Sequence, residues 1–234
     1  MRARGVPLVN IAQVVERSSL MLISKKSSGI REPADMSGKK VGVWDGDFML
    51  QPLAFFKQYY LTVQPVPLAG TINLFLRDGV DVAAAMWYNE YHTILNAGID
   101  ADELNTFFFR DHGLNFPEDG IYCRESMLRD HPQLARAFVQ ASLEGWQYAF
   151  AHPDEAIAIV LRYMAAVHVG TNAAHQRWML ARMRDVIVPA DTPGTLGVLK
   201  PADYDLVARA LKSHGWITAA PDFESFYQPQ STPR

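Results

Sequence analysis

One stretch constrains the fold more than any other, an alanine-rich apolar run at Val82–Met86 that stops abruptly at Trp87. A short, continuous apolar run bounded by turn residues is typical of a strand that is buried on both faces. In open α/β sheets, ligands bind just outside the carboxyl ends of the strands. We therefore expect Trp87, Tyr88, Asn89 and Glu90 to contact a ligand. An aromatic core followed by a solvated helix start explains the same residues equally well.

The segment around this run alternates strands with helices. Strands are predicted near 41–44, 63–67, 80–86 and 104–110, and helices near 51–60, 71–78 and 90–97. This alternation indicates a mostly parallel sheet. A loop at 45–50 is expected to lead into a helix N-terminus, which offers backbone N–H groups to a ligand oxygen. An ordinary strand–helix turn is the alternative at that position.

The flanking segments have a different pattern. Short strands are predicted at 6–16, 19–24 and 121–123, and the chain is predicted to be helical from Met127 onward. In the helix after Pro132, four large apolar residues fall near one face, Leu134, Phe138, Trp146 and Phe150, and we expect that face to pack against a sheet. A loop is expected at 189–200. The tail from Pro221 is expected to be frayed.

Composition and charge exclude several functional classes. The 234 residues carry a net charge of −3, so no basic surface indicates nucleic-acid binding. The single cysteine, Cys123, excludes an internal disulfide and a CxxC metal site. No apolar run reaches the roughly 18 residues that span a bilayer. No secretory signal pattern follows Met1, and the chain is expected to begin inside a folded element.

Catalytic and metal-binding motifs are not found. The seven histidines lie outside HExxH and similar ligand spacings, and no GxSxG elbow or phosphate-binding glycine loop is present. Cys123 has no identifiable base to activate it and is more typical of a small buried residue. Glu118 and Asp119 could form a carboxylate pair, but adjacent turn residues usually point apart.

The remaining candidates are groups that recognise a ligand. Aromatic rings at four positions could stack on a flat ring, at Trp44, Trp87, Tyr88 and Tyr91. Glu90 could accept a hydrogen bond from an exocyclic amine, and Asn115 could both donate and accept. This set suits a flat, nitrogen-rich and largely uncharged small molecule.

Several pieces of the sequence resemble a known family. They are Gly38–Trp44, Gly79–Ala84, Tyr88–Tyr91 and Gly113–Gly120, together with His131–Pro132 and Ala151–Ala156. These pieces are similar to the solute-binding proteins related to yeast thiamine-pyrimidine synthase, the SsuA/THI5-like (NMT1/THI5) family. The resemblance covers nearly all of residues 5–220.

The resemblance implies an α/β fold of the periplasmic-binding-protein type II class, with two lobes joined by crossing strands and ligand in the cleft. Residues 1–26 and 116–234 would form lobe I with the hinge strands, and residues 27–115 would form a complete lobe II. The crossings would lie at 12–26 and 116–124. The family normally begins with a strand and helix bearing a Trp-Pro-Asn-type motif that this sequence lacks, so lobe I is expected to be incomplete.

The function implied by the resemblance is that of the substrate-binding component of an ABC importer, working with a transporter permease. The expected ligand is a thiamine-related aminopyrimidine of the formylaminopyrimidine or hydroxymethylpyrimidine type. Tyr88 and Glu90 would contact the pyrimidine, Asn89 and Asn115 would lie beside it, and Trp44, Asp45 and Gly46 would form a wall of the cleft. No cofactor and no metal are expected.

Two alternatives remain open. One is a pyrimidine synthase-like enzyme, which would require pyridoxal phosphate and iron, and a histidine and a lysine from the absent front part. The family's cysteine-rich run is also replaced here by 114–119, which favours binding over catalysis. The other alternative is a truncated, non-functional remnant. The family implies a periplasmic or envelope location, and the cytoplasm stays open because no signal peptide is found.

Overall fold

The computed structural model describes residues 1–191 and 194–230, and the chain divides into two compact units. The first unit combines Met1–Ser18 with Phe116–Arg234, and the second unit is the continuous segment Ser19–Asn115. Parts of the predicted loop at 189–200 and of the predicted frayed tail, residues 192–193 and 231–234, lie outside the described residues.

The strands of the described residues are β1 (Leu8–Gln13), β2 (Leu20–Lys25), β3 (Lys40–Val43), β4 (Gln64–Pro67), β5 (Val82–Met86), β6 (Leu104–Phe108) and β7 (Gly120–Arg124). The helices are α1 (Leu50–Gln58), α2 (Asn73–Leu76), α3 (Glu90–Asn96), α4 (Glu125–Asp130), α5 (Pro132–Ala151), α6 (Pro153–Ala166), α7 (Ala173–Ile187), α8 (Pro201–Ser213) and α9 (Phe223–Phe226).

The second unit is built on a sheet with the strand order β4-β3-β5-β2-β6. Strand β3 is parallel to β4 and β5, whereas β2 runs antiparallel to both β5 and β6. Four strands therefore point the same way, as the alternating pattern predicts, and β2 is the exception. All five residues of β5 are buried, which agrees with a strand covered on both faces.

Strand β2 corrects the expected domain boundary. Residues up to 26 were expected in lobe I, with this strand as part of the hinge. In the structure β2 pairs along its whole length with β5 on one side and β6 on the other, so it lies inside the sheet of the second unit. The first boundary is therefore at Ser18 and not at residue 26.

Helices cover both faces of this sheet. On one face, Phe75 of α2 and Ile94 of α3 are fully buried against alternate residues of β2 and β5. On the other face, Phe55 of α1 packs edge-on against Phe109, with ring centroids 5.3 Å apart. The backbone of β3 at Gly42 lies close to the side chain of Leu68. If residue 42 carried a Cβ atom, that atom would lie 2.7 Å from Cδ2 of Leu68.

The turn before α1 differs from the sequence prediction. Residues 45–50 were expected to form a loop ahead of a helix that starts near Gln51. Instead, Gly46–Met49 forms a 3-10 turn that continues directly into α1. Pro52 is tolerated because it lies in the first turn of α1, where its missing N–H has no helical partner.

The first unit contains β1 and β7 as an antiparallel pair, with α5 packed on it. Val9 and Ile11 of β1 meet Ala135 and Val139 of α5 in a buried cluster. Leu134 and Phe138 were expected to form the packed face of this helix, but they are 58% and 60% exposed. The packed face is instead the neighbouring stripe of smaller residues.

The described part of the tail is ordered against β1, so the prediction of fraying is wrong for residues 221–230. Helix α9 forms there, and Tyr227 makes a parallel bridge with Asn10. The backbone N–H of Gln228 donates to the carbonyl of Asn10 at 2.9 Å, and that of Gln230 donates to the carbonyl of Ile11 at 2.9 Å. These hydrogen bonds give the carbonyl groups of Asn10 and Ile11, on the edge of β1 away from β7, their partners.

Candidate functional site

The candidate residues gather at one edge of the five-stranded sheet in the second unit. Strands β3, β5 and β6 all end there, and β2 begins there, because Leu20 pairs with Met86 and Met21 pairs with Phe108. The N–H of Trp87 donates to the carbonyl of Ser19 at 3.0 Å, which closes the ladder at this edge. We refer to it as the carboxyl edge, and it is where the strand-end rule places ligands.

The end of β3 presents an aromatic pair and an exposed turn. Trp44 is half-buried, and its ring meets Phe48 edge-on with centroids 5.9 Å apart. Phe48 is 55% exposed, and Asp45 and Gly46 are also exposed. Gly46 has a φ of 73°, a left-handed conformation that glycine adopts without strain. The turn therefore offers an aromatic surface and backbone N–H groups to solvent.

The carboxylate of Glu90 is held against the end of β5. Its Oε2 accepts a hydrogen bond from the backbone N–H of Met86 at 2.9 Å, and its Oε1 accepts one from Nδ2 of Asn89 at 2.6 Å. Each carboxylate oxygen can accept a second hydrogen bond. The side chain thus closes the strand end and orients the amide of Asn89, while retaining acceptor capacity for a ligand.

Tyr88 and Asn89 are half-buried beside this carboxylate. Asn89 is the residue before α3, and its carbonyl accepts hydrogen bonds from the N–H of Thr93 at 3.1 Å and from the Thr93 hydroxyl at 3.2 Å. Backbone and side chain of Asn89 are therefore both fixed. A polar group that is held in this way is suited to recognising a ligand with a defined geometry.

Asn115 is placed by α1. Nε2 of Gln51, a buried residue, donates to the carbonyl of Leu114 at 2.6 Å. This bond fixes the chain immediately before half-buried Asn115 next to the first turn of α1. The structure thus places Trp44–Gly46 just before α1, Asn115 next to the first turn of α1, and Tyr88–Glu90 at the end of the adjacent strand β5.

Two of the aromatic residues expected to stack on a ligand pack on the protein instead. Trp87 and Tyr91 contact the buried cluster that includes Phe75 and Ile94. Burial raises the pKa of the Tyr91 hydroxyl above its ordinary value. Trp44 and Tyr88 remain the aromatic candidates for ligand contact.

Arg110, which joins the ends of β5 and β6, was not among the residues predicted from the sequence. The ring of Trp87 meets that of Phe108 edge-on, with centroids 5.5 Å apart. The guanidinium of Arg110 lies over both rings, 5.0 Å from the Trp87 centroid and 4.1 Å from the Phe108 centroid. The strand-end rule applied to β6 would have found it, because Arg110 follows that strand by two residues.

Three further features concern metal binding, the thiol of Cys123 and membrane-spanning helices. The described residues contain no group of three or more His, Cys, Asp or Glu side chains placed to hold a metal ion. Burial raises the pKa of the Cys123 thiol, so the thiolate is disfavoured. Within the same described ranges, no helix is long and apolar enough to cross a membrane.

The family follows from a comparison with known proteins. A family model described as NMT1/THI5 like matches residues 1–156, well over half of the chain. The chain belongs to the NMT1/THI5-like family. The resemblance inferred from the sequence pieces is thereby confirmed.

Among relatives of this NMT1/THI5-like protein is the riboflavin-binding protein RibY of Chloroflexus aurantiacus. The two are 26% identical over 177 residues, which is 72% of this chain and 49% of RibY. The chain therefore spans about half the length of that relative.

Solved structures show the fold of this NMT1/THI5-like protein. The periplasmic aliphatic sulphonate binding protein SsuA of Escherichia coli matches with a TM-score of 0.73 and 16% identity, over 100% of this chain and 72% of SsuA. A ligand-binding component of an ABC-type import system from Staphylococcus aureus matches with a TM-score of 0.64 and 13% identity, over 97% of this chain and 74% of that protein. The predicted α/β fold of the periplasmic-binding-protein type II class is confirmed.

Proposed function

We propose that this protein is the substrate-binding component of an ABC importer and that the carboxyl edge of its second unit contacts the solute. The observation that carries the proposal is the fixed pair of Asn89 and Glu90, held by the N–H of Met86 where a fully buried strand ends. Binding sites combine aromatic or apolar walls with a few placed polar groups. The carboxyl edge of the second unit supplies both aromatic walls and placed polar groups.

The solute we favour is a thiamine-related aminopyrimidine. Its flat ring would lie against Trp44 with Tyr88 beside it, and its exocyclic amine would donate to a remaining lone pair of the Glu90 carboxylate. The amides of Asn89 and Asn115 could pair with the ring nitrogens. The same carboxylate also accepts a hydrogen bond from Asn89, so in this proposal Glu90 acts on the ligand both directly and by positioning Asn89.

Riboflavin is the second candidate solute, favoured by the name of the relative RibY. Its ring system is also flat and rich in nitrogen, so the same chemistry would recognise it. A larger fused ring needs a longer aromatic surface, and the exposed pair of Trp44 and Phe48 could provide one. The two candidates therefore differ chiefly in how much of this pair they would cover.

The proposal also includes a permease as partner and a periplasmic or envelope location, both suggested by structural relatives such as periplasmic SsuA and the component of an ABC-type import system. The binding role needs no cofactor. Recognition through hydrogen bonds and ring stacking alone is sufficient for a transport receptor.

The proposal is tested by isothermal titration calorimetry with hydroxymethylpyrimidine, formylaminopyrimidine and riboflavin. We expect one of them to bind, and Trp44→Ala to weaken that binding at least about tenfold, the equivalent of roughly 1.4 kcal/mol. The matched control is Tyr60→Ala, an aromatic residue that is 93% exposed and follows the far end of α1. Equal binding by wild type and Trp44→Ala, or no binding of any of the three compounds, would count against the proposal.

A further inference from the structure

The turn that carries the candidate ligand contacts is anchored by the ring of Trp87. The chain turns between Met86 and Asn89, where the N–H of Asn89 donates to the carbonyl of Met86 at 3.2 Å, and Trp87 and Tyr88 are the two central residues. The N–H of Trp87 donates to the carbonyl of Ser19 at 3.0 Å, and its indole ring packs against the buried cluster on the α2 and α3 face of the sheet. A tight turn fixes the backbone angles of both central residues, so the position of this ring restricts the direction in which Tyr88 points.

Arg110 reaches the same ring from the end of β6. Its guanidinium carbon lies 5.0 Å from the ring centroid of Trp87 and 4.1 Å from that of Phe108, and only 16% of the side chain is exposed. Phe108 packs on the same buried cluster as Trp87, whereas the next residue, Phe109, is fully buried on the other face of the sheet, against Phe55. The ring of Trp87 is therefore contacted by the buried cluster, by Phe108 and by the guanidinium.

The backbone that carries this guanidinium is fixed by its own contacts. Arg110 lies in a short 3-10 turn that starts at the fully buried Phe109. The carbonyl of Phe109 accepts a hydrogen bond from the N–H of Leu114 at 3.0 Å, and the carbonyl of Arg110 accepts one from the N–H of Gly113 at 3.3 Å. A cation that is attached to a fixed backbone limits the positions that the ring of Trp87 can take.

We propose that Arg110 is a positioning residue for solute binding, which acts through Trp87 to hold Tyr88, Asn89 and Glu90 in the geometry that receives the solute. The inference rests on the proposed function, because it takes the carboxyl edge as the binding site. A site that is ordered before the solute arrives binds more tightly, since binding does not have to order it. Side chains that contact a ligand need neighbours that fix their orientation, and Arg110 supplies this support for the turn.

The chemistry of the guanidinium makes this role specific to arginine. Replacing Arg110 by methionine removes the cation that lies over the ring of Trp87, so the turn gains freedom that solute binding must then remove. A lysine keeps the charge but lacks the planar face that stacks on a ring, so it restores the support only in part. Arg110 does not touch the solute in this arrangement, and its effect on binding disappears when Trp87 is replaced.

The test is isothermal titration calorimetry of the full chain with hydroxymethylpyrimidine, formylaminopyrimidine and riboflavin, at a temperature well below unfolding. For a compound that binds the wild type, we expect Arg110→Met to raise Kd about threefold to tenfold and Arg110→Lys to raise it less. In the Trp87→Leu background, Arg110→Met should raise Kd by less than about twofold, because the two residues act as one unit.

Two control variants separate positioning from stability and from charge. Val80→Ala truncates a side chain that is 3% exposed just before β5, at the edge of the sheet opposite the site, so it should lower the melting temperature and leave Kd unchanged. Arg77→Met removes an exposed cation at the end of α2 and should change neither. Circular dichroism melts verify that each variant is folded. Should Arg110→Met fail to fold, Arg110→Lys in the wild-type and Trp87→Leu backgrounds gives the same comparison.

Three results would overturn this proposal while the proposed function stands. They are a Kd for Arg110→Met equal to that of the wild type, an increase in Kd that Val80→Ala matches, and an increase that persists in full in the Trp87→Leu background. The last of these would mean that Arg110 contacts the solute directly. If none of the three compounds binds the wild type, the proposed function and this inference both fail.

Discussion

The carboxylate of Glu90 lies 2.9 Å from the backbone nitrogen of Met86, so an acidic side chain closes the end of the most buried strand in the second unit. The same carboxylate orients Asn89 through its other oxygen. A group that joins backbone and side chain in this way affects both the stability of the sheet edge and the geometry of the candidate site.

The first prediction therefore concerns Glu90→Gln. Glutamine offers one acceptor oxygen where the carboxylate offers two, so either the Met86 N–H or the Asn89 amide meets an NH₂ group instead of an acceptor. Hydrogen bonds to charged groups contribute about 1.5–3 kcal/mol, and we expect the free energy of unfolding to fall by about 1–2 kcal/mol in urea denaturation. Glu144→Gln, at an exposed position on α5, is the control and should change it by less than about 0.5 kcal/mol. An unchanged unfolding midpoint for Glu90→Gln would contradict the role of this carboxylate.

The second prediction concerns Arg110, whose guanidinium covers the rings of Trp87 and Phe108. Arg110→Met keeps an apolar stem and removes the cation, and we expect a loss of about 1–2 kcal/mol in unfolding free energy, as for a partly desolvated cation–π contact. Arg110→Lys should recover only part of this loss, because an ammonium lacks the planar face that stacks on rings.

Arg77→Met is a suitable control for Arg110, since Arg77 is exposed at the end of α2. It should leave the unfolding midpoint unchanged. If Arg110→Met and Arg77→Met have equal effects, the two ring contacts contribute nothing measurable.

Much of this architecture could be predicted from local sequence. The apolar run of β5, the alternation through residues 27–110 and the helices after residue 125 each have a period or a boundary that a single chain segment reveals. The strand-end rule singled out Tyr88, Asn89 and Glu90 as candidate ligand contacts, a role that stays a prediction. These predictions depend on local pattern alone.

The features that local sequence could not predict depend on contacts between residues that are far apart in the sequence. The antiparallel direction of β2 is set by its two neighbours in the sheet, and nothing in its own residues encodes it. The exposure of Phe138 and the burial of Val139 depend on which stripe of α5 meets β1. Trp87 could not be assigned to core or ligand until the position of Arg110 was known. Each wrong prediction depended on which distant part of the chain a strand or side chain contacts.

The third prediction concerns the close approach at Gly42. A Cβ atom there would lie 2.7 Å from Cδ2 and 3.0 Å from Cγ of Leu68, so the leucine must move. We expect Gly42→Ala to lower the free energy of unfolding by about 1–3 kcal/mol through overpacking. The double variant Gly42→Ala with Leu68→Ala removes the clash.

A double-mutant cycle provides the decisive measurement for Gly42. The combined loss should be smaller than the sum of the two single losses, with a coupling energy of about 0.5–3 kcal/mol. Strict additivity would show that the cost of Gly42→Ala arises elsewhere.

The fourth prediction concerns the pH dependence of His112. Burial lowers the pKa of its imidazole, and the charge of Asp111 opposes this shift to a smaller extent. In its neutral form, Nδ1 can accept a hydrogen bond from the Tyr59 hydroxyl at 2.6 Å, and the ring meets Phe55 edge-on with centroids 5.0 Å apart. These contacts favour neutral His112 and connect the end of β6 to α1.

The direction in which stability changes with pH follows from the linkage between proton binding and folding. A histidine whose pKa is lower in the folded state binds fewer protons folded than unfolded, so stability falls as pH decreases. Its contribution is fully present above the ordinary value of 6.5 and is lost as pH falls from there through the lower folded pKa. We expect urea midpoints to decrease between about pH 7 and pH 5, and His112→Gln to show a smaller decrease over the same interval.

The protonation of His112 can be observed directly by NMR titration of its ring protons. The midpoint should lie below 6.5 in wild type and should move upward in Tyr59→Phe, because the hydroxyl that favours neutral Nδ1 is removed. His152→Gln, at an exposed histidine between α5 and α6, serves as the control and should leave the His112 midpoint unchanged. A His112 midpoint at or above 6.5 would mean that its protonated form is the one the fold favours, and the link between β6 and α1 would then strengthen in acid.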